Sequence, residues 1–191
     1  MTTATATRRM SVEEFLALPD DGVRRWLIDG EVREYGMTVR NRDHSRVMMR
    51  VGQLLGNWLD NQPIPRGELV GGEAGFILPG DPAKVIGLDI AYIDADLATQ
   101  KPDDTTLFEG VPVLAIEVMS PSDTQEYIRE RIASLLNAKV KIVWIVDPDE
   151  QTVRVHRKGV RSRTLQDSDE LTAEPELPGF RVSVASLFSR G

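Results

Sequence analysis

The sequence predicts an α/β fold in which helices cover a β-sheet, and two observations support this prediction. Residues 44–59 carry apolar side chains at intervals of three and four, which is typical of a helix with one buried face. Residues 111–146 contain an apolar stretch, a segment with helical spacing and a second apolar stretch. This order is typical of a strand–helix–strand unit with two parallel strands.

The composition is that of a globular protein of 191 residues, a length that one domain can account for. Hydrophobic residues make up 41% and charged residues 28%, which is too apolar for disorder and too charged for a membrane span. We expect residues 1–9 to form a flexible amino terminus and residues 10–191 to form a single domain. No apolar secretory signal follows the first nine residues, and the absence of cysteine excludes disulfides, thiolate nucleophiles and cysteine-bound zinc. These features favour a cytoplasmic location.

The charge is unevenly distributed along the chain. The formal net charge of -7 disfavours indiscriminate binding to polyanions. Two segments are nevertheless basic: residues 24–50 contain seven arginines against four acids, and residues 152–165 contain four arginines, one lysine and no acid. Each segment is either a solvated face, which is the usual meaning of a charge run, or a local surface for nucleic acid.

The amino-terminal elements are predicted from capping and turn residues. Ser11 and Glu14 have the spacing of a capping box, in which each side chain accepts a hydrogen bond from the other residue's amide. A short first helix should therefore begin here. Residues 25–34 predict a β-hairpin, because Asp29 and Gly30 form a dipeptide favoured in tight type I′ turns.

The central elements follow from the spacing of apolar residues. The helix over residues 44–59 is followed by a stretch rich in glycine and proline. Three apolar segments then predict strands, at residues 75–78, 85–93 and 111–119.

The second half of the strand–helix–strand unit begins with a helix cap. Ser122 can cap a third helix, which should end near residues 137–139. Residues 140–146 are almost all β-branched or aromatic, which is typical of a strand that is covered on both faces. We expect this strand to run parallel to residues 111–119, with a right-handed helical connection.

The carboxyl-terminal part predicts smaller elements. Residues 152–156 and 160–165 should form an exposed hairpin around Gly159, with His156 at the surface. Residues 177–188 predict a last strand and a helical turn.

Two acids interrupt segments that should be buried: Asp89 lies within residues 85–93 and Glu117 within residues 111–119. An unpaired carboxylate in an apolar strand is costly, so each acid should face solvent, form a salt bridge or bind a cation. Glu117 lies near the carboxyl end of a parallel strand, where α/β sheets place their ligand sites. Together the two acids suggest a site for a hard cation such as Mg²⁺.

The order and spacing of several segments resemble the Uma2 family, which is assigned to the PD-(D/E)XK nuclease superfamily. The resemblance runs from Met10 to about Phe188. Its marks are residues 11–19, residues 27–31, the helix that begins at His44, Asp89, residues 117–122 (Glu-Val-Met-Ser-Pro-Ser), residues 144–148 and residues 177–180.

The resemblance implies a restriction-endonuclease-like fold, with a mixed central β-sheet flanked by α-helices. It also implies an endonuclease that hydrolyses DNA phosphodiester bonds with Mg²⁺, or with Mn²⁺ in its place. Asp89 and Glu117 would be the catalytic metal ligands, and Glu31 an auxiliary acid near the same site. The backbone carbonyl of Val118 would complete the coordination.

The chain departs from the family pattern at two positions. Leu88 stands where proline usually precedes the aspartate, a change that we expect to be harmless. Met119 stands where the superfamily motif has lysine, and the family's lysine aligns instead with Arg131 on the third helix. Arg131 can stabilise charge on a phosphate but cannot act as a base. Either it supports the chemistry in this way, or activity is reduced, or Arg131 merely pairs with Tyr127 or Glu130 on a wet helix face.

The resemblance also suggests how substrate is bound. His44 follows an arginine-rich stretch, and Arg40, Arg42 and His44 are the predicted substrate-binding residues, although His44 could equally do no more than begin its helix. A homodimer is expected, because many nucleases of this superfamily cut two strands as dimers. Two alternatives remain: a nucleic-acid-binding module without hydrolytic activity, and a structural protein in which the acids form salt bridges.

Overall fold

The computed structural model describes residues 9–19, 21–35, 41–100 and 106–190. Residues 1–8 of the predicted flexible amino terminus lie outside this described part. None of the helices within it is long and apolar enough to cross a membrane.

The described residues form five helices and eleven strands. The helices are α1 (Val12–Leu16), α2 (Arg42–Leu59), α3 (Ala95–Ala98), α4 (Gln125–Asn137) and α5 (Ala185–Phe188). The strands are β1 (Arg24–Ile28), β2 (Glu31–Tyr35), β3 (Glu68–Leu78), β4 (Lys84–Ile93), β5 (Phe108–Glu109), β6 (Leu114–Val118), β7 (Ile142–Asp147), β8 (Thr152–Arg157), β9 (Val160–Leu165), β10 (Glu170–Thr172) and β11 (Arg181–Ser183).

Nine of these strands form one mixed sheet. Its main path runs β2-β1-β4-β6-β7-β8-β9, while β3 pairs with β4 and β5. Strands β6 and β7 are parallel, with Leu114 opposite Ile142 and Val118 opposite Val146, whereas β4 and β6 are antiparallel. The predicted parallel pair and the mixed central sheet are therefore confirmed.

The two long helices lie on opposite faces of the sheet. Alternate residues of each strand point to opposite sides, so each helix packs against a different set of strand residues. On one face, Val51 and Leu55 of α2 pack in a core that includes Ile116 of β6. On the other face, Ile128 and Leu135 of α4 pack with further sheet residues. Each fully buried aliphatic side chain contributes about 1.5–3 kcal/mol. The core is thus two apolar layers, separated by the sheet.

The predicted capping box and tight turn are both present. Glu14 N donates to Ser11 Oγ at 3.2 Å, and Ser11 N donates to Glu14 Oε2 at 2.9 Å. In the first hairpin Asp29 and Gly30 have φ angles of 51° and 77°, the left-handed values that a type I′ turn requires. The hairpin over residues 152–165 and the terminal strand with its helical turn are also confirmed. The hairpin is not exposed throughout, because Val153 lies in the core and His156 is partly buried.

Several predicted boundaries were wrong for physical reasons. Helix α4 is capped by Thr124 rather than Ser122, with Tyr127 N donating to Thr124 Oγ1 at 3.2 Å. Helix α2 begins at Arg42, two residues before His44, because Asn41 provides the cap. Strand β3 begins at Glu68 rather than residue 75, because glycines hid its amino-terminal half from an apolar pattern.

Candidate functional site

Asp89 and Glu117 lie side by side on neighbouring strands. Ile90 of β4 is opposite Ile116 of β6 in an antiparallel pair, which places Asp89 opposite Glu117. Both acids and Val118 line the same small pocket, of about 10 Å³. A space of this size holds about one water molecule or one ion. The two acids, distant in sequence, therefore meet at one place, as the sequence predicted.

Asp89 is held by a backbone amide and a buried histidine. Its Oδ2 accepts from Val118 N at 2.9 Å and lies 3.3 Å from His44 Nε2. Asp89 is 4% exposed and His44 only 1%. His44 thus orients Asp89, and its burial contradicts the prediction that it contacts substrate.

Glu117 is paired with the buried Arg131 of α4. Arg131 Nη2 lies 2.5 Å from Glu117 Oε1 and also donates to the carbonyl oxygen of Gly87. The guanidinium carbon lies 3.7 Å from the centroid of the Trp26 ring, a cation–π contact. Arg131 is 1% exposed, so the alternative that places it on a wet helix face is wrong.

Burial and neighbouring charges set the protonation of this pair. Desolvation raises the pKa of Glu117 from its ordinary value of 4.5 to about 8; Arg131 opposes this increase, while Asp89 and Glu73 add to it. Desolvation is the largest influence on the pKa of Arg131 and lowers it, but the charges of Glu117, Tyr127 and Glu73 and the hydrogen bond to Glu117 together outweigh it, so the pKa is raised. The site therefore holds a guanidinium group that stays protonated next to a carboxyl group whose pKa is raised.

Glu73 is a site residue that the sequence analysis missed. It lines the same pocket as Asp89 and Glu117 and lies at a bulge of β3, where residues 72–73 are opposite Asp89. Gly72 and Glu73 have φ angles of 75° and 65°. Bulges often occur beside active sites, where they redirect a side chain. The signal in the sequence was the pair of glycines directly before an acid.

The other predicted site residues lie elsewhere. Glu31 is not part of the pocket: its side chain is 63% exposed and pairs with Arg33 at 2.9 Å. It follows a turn whose Asp29 pairs with Lys84, the first residue of β4, whereas Asp89 lies in the middle of that strand. Arg42 is the exposed first residue of α2. Arg40 lies outside the described residues.

Met119 occupies the position of the motif lysine, two residues after Glu117. It packs partly buried against the core on the α4 face. Arg154 of β8 donates from Nη2 to Met119 Sδ at 3.3 Å. The residue at the lysine position is thus apolar, and an arginine from another strand lies against it.

The donor set is small. Within the described ranges no group of three or more histidine, aspartate or glutamate side chains is arranged to hold a metal ion. The pocket offers the carboxylates of Asp89 and Glu117 together with the backbone of Val118. One or two carboxylates completed by water suit Mg²⁺, which dehydrates reluctantly.

Comparisons with known proteins agree with the fold. The chain is similar to a crystal structure from Anabaena variabilis ATCC 29413 described as "a putative nuclease belonging to DUF820", with 21% sequence identity and a TM-score of 0.78. The match covers 94% of this chain and 97% of that one. At this identity the likeness establishes the fold alone. A comparison with curated proteins found no match.

The family follows from a match to a family model. The Uma2 model, described as "Putative restriction endonuclease", matches residues 12–185. This range takes in both acids, the helix that carries Arg131 and most of the sheet. The resemblance noted in the sequence is confirmed: the chain belongs to the Uma2 family of restriction-endonuclease-like proteins.

Proposed function

We propose that this protein is a metal-dependent endonuclease that hydrolyses phosphodiester bonds in DNA. The observation that carries the proposal is the pair of buried carboxylates, Asp89 and Glu117, which line one small pocket on adjacent strands. DNA as the substrate is supported by the family description. A homodimer that cuts both strands is part of the proposal.

The residues of the pocket fit a divalent cation. Burial and the charges of Asp89 and Glu73 raise the pKa of Glu117, so repulsion disfavours its ionised form as long as no further cation is near. A cation would relieve this repulsion. Asp89, Glu117 and the carbonyl of Val118 would hold Mg²⁺ or Mn²⁺. A bound ion of this kind lowers the pKa of its water and neutralises charge that develops on a phosphate.

The surrounding side chains fix the two ligands. The amide of Val118 donates to Asp89 and His44 contacts the same oxygen, which sets the orientation of the carboxylate. Arg131 donates to Glu117 and favours its ionised form. Residues of this kind hold a metal ligand in place and tune its basicity.

Hydrolysis joins a water oxygen to phosphorus and breaks one phosphorus–oxygen ester bond. Arg131 stays protonated and cannot remove a proton from water. Because Arg131 is buried and bonded to Glu117, we assign it the role of positioning Glu117 rather than that of contacting the phosphate.

The test is nicking of supercoiled plasmid DNA in Mn²⁺ and in Mg²⁺ by the parent protein, Asp89→Asn and Glu117→Gln. Both substitutions keep the shape of the side chain and remove its charge. A matched control is Glu170→Gln, which removes an acid paired with Arg181 on the separate β10–β11 sheet. We expect nicking by the parent and the control, and none by the two site variants that remain folded by circular dichroism. Nicking that survives Asp89→Asn would overturn the proposal.

A second candidate function is DNA binding without hydrolysis. The observation in its favour is Met119, which replaces the lysine of the superfamily motif. Binding of DNA by the parent protein without nicking in either metal would select this candidate.

A further inference from the structure

Arg154 is bonded to a methionine sulfur instead of a carboxylate. Its guanidinium donates to Met119 Sδ at 3.3 Å, and thioether sulfur is a weak acceptor. Other arginines pair with aspartate or glutamate: Arg25, Arg33, Arg46, Arg66, Arg131, Arg157 and Arg181. Arg154 is partly exposed, so its remaining donors are accessible.

Arg154 also lies in register with the candidate site. Glu117 of β6 is opposite Ile145 of β7, and Ile145 is opposite Arg154 of β8. Residues opposite one another across neighbouring strands point to the same face of a sheet. Two strand spacings separate Glu117 and Arg154, which is about 10 Å between their backbones. The side chain of Arg154 crosses part of this distance to reach Met119.

Neither of the two positions expected to supply an accessible positive charge at the site does so. The motif lysine is replaced by Met119, and the aligned Arg131 is buried against Glu117 and Trp26. A guanidinium binds phosphate oxygens through two parallel hydrogen bonds, and this requires accessible donors. Arg154 has such donors beside the position that lysine would occupy.

We propose that Arg154 binds a backbone phosphate of the nucleic-acid substrate beside Met119, in place of the missing lysine. This inference rests on the proposed function and adds a catalytic residue from β8 to the carboxylates of β4 and β6. The role is electrostatic, because arginine does not give up its proton at neutral pH.

The test compares the parent protein with Arg154→Gln, Arg154→Lys and the control Arg181→Gln. Arg181 is 66% exposed, pairs with Glu170 and lies on the β10–β11 sheet, so its substitution removes the same charge away from the site. Plasmid nicking is measured in Mn²⁺. Binding of a short fluorescent DNA duplex is measured by anisotropy in Ca²⁺ at several salt concentrations.

We expect Arg154→Gln to lower the nicking rate by roughly 100-fold, the lower end of the range found for loss of one charge-stabilising donor. It should also reduce the slope of log affinity against log salt by about 1, whereas Arg181→Gln changes neither quantity. Arg154→Lys should restore part of the rate.

Each contrary outcome has a distinct meaning. Nicking and salt dependence of Arg154→Gln equal to those of the parent overturn this inference and leave the proposed function standing. If the parent protein binds DNA but does not nick it, the salt dependence of binding decides. A slope for Arg154→Gln equal to that of the parent overturns this inference, and a slope lower by about 1 supports it. A parent that neither nicks nor binds overturns the proposed function, and this inference with it.

Discussion

Arg131 and Arg154 approach strand β6 from different elements and meet different surroundings. Arg131 comes from α4, is 1% exposed and is bonded to Glu117 and Gly87. Arg154 comes from β8, is partly exposed and touches a methionine sulfur. The same type of side chain is thus a fixed part of the core at Arg131 and an accessible donor at Arg154.

The difference shows that burial, more than alignment with a motif, decides what a cation can do. A buried guanidinium must keep its counter-ion, since removing one partner of a buried pair leaves an uncompensated charge. Arg131 can therefore act on substrate only through Glu117. A partly exposed guanidinium has no such restriction and can exchange water for phosphate.

The largest predicted difference between the two arginines is in how much each contributes to the free energy of unfolding. We expect Arg131→Met to lower the free energy of unfolding by about 1–3 kcal/mol, because Glu117 and the carbonyl of Gly87 lose their buried hydrogen-bond donor. Arg154→Met should change it by less than about 0.5 kcal/mol, as is usual for surface positions. Urea denaturation at pH 8 measures both values. Equal losses in the two variants would remove the distinction between a structural and an available arginine.

The pH dependence of stability should reveal the titration of the buried carboxyl group to which Arg131 donates. The pKa of Glu117 is raised from 4.5 to about 8 in the folded protein. Between these values the unfolded chain binds fewer protons at this group than the folded chain, so the stability that this group contributes is fully present below pH 4.5 and is lost as pH rises through about 8. The slope from this group is at most about 1.4 kcal/mol per pH unit.

The measurement is urea denaturation of the metal-free parent protein and of Glu117→Gln at pH 5, 6, 7 and 8. Glutamine does not titrate, so the free energy of unfolding of the parent protein should fall relative to that of Glu117→Gln as pH rises. A constant difference across this range would show that Glu117 is ionised throughout.

The sequence predicted the elements whose local signals agree with the final fold. Helix α2 and the parallel strands β6 and β7 follow from apolar periodicity, and the first hairpin follows from Asp29 and Gly30. The convergence of Asp89 and Glu117 was also predictable, because both interrupt segments that had to be buried. The family resemblance added the role of the two acids as a metal site.

What could not be predicted depends on contacts between distant segments. Glu73 is brought to the pocket by a bulge, and nothing in the local pattern fixes where a bulge turns its side chain. Glu31 was misplaced because the tight turn directs it toward Arg33 and solvent. The burial of His44 depends on the neighbouring strand β4, which the sequence around the helix does not reveal.

The central claim is that Asp89 and Glu117 share one divalent cation, and the most direct measurement is the anomalous scattering of Mn²⁺ soaked into crystals of the protein. We expect one strong anomalous peak between the two carboxylates, within about 2.2 Å of an oxygen from each, and no such peak in crystals of Asp89→Asn. A peak at another position, or the absence of a peak at saturating Mn²⁺, would contradict the account.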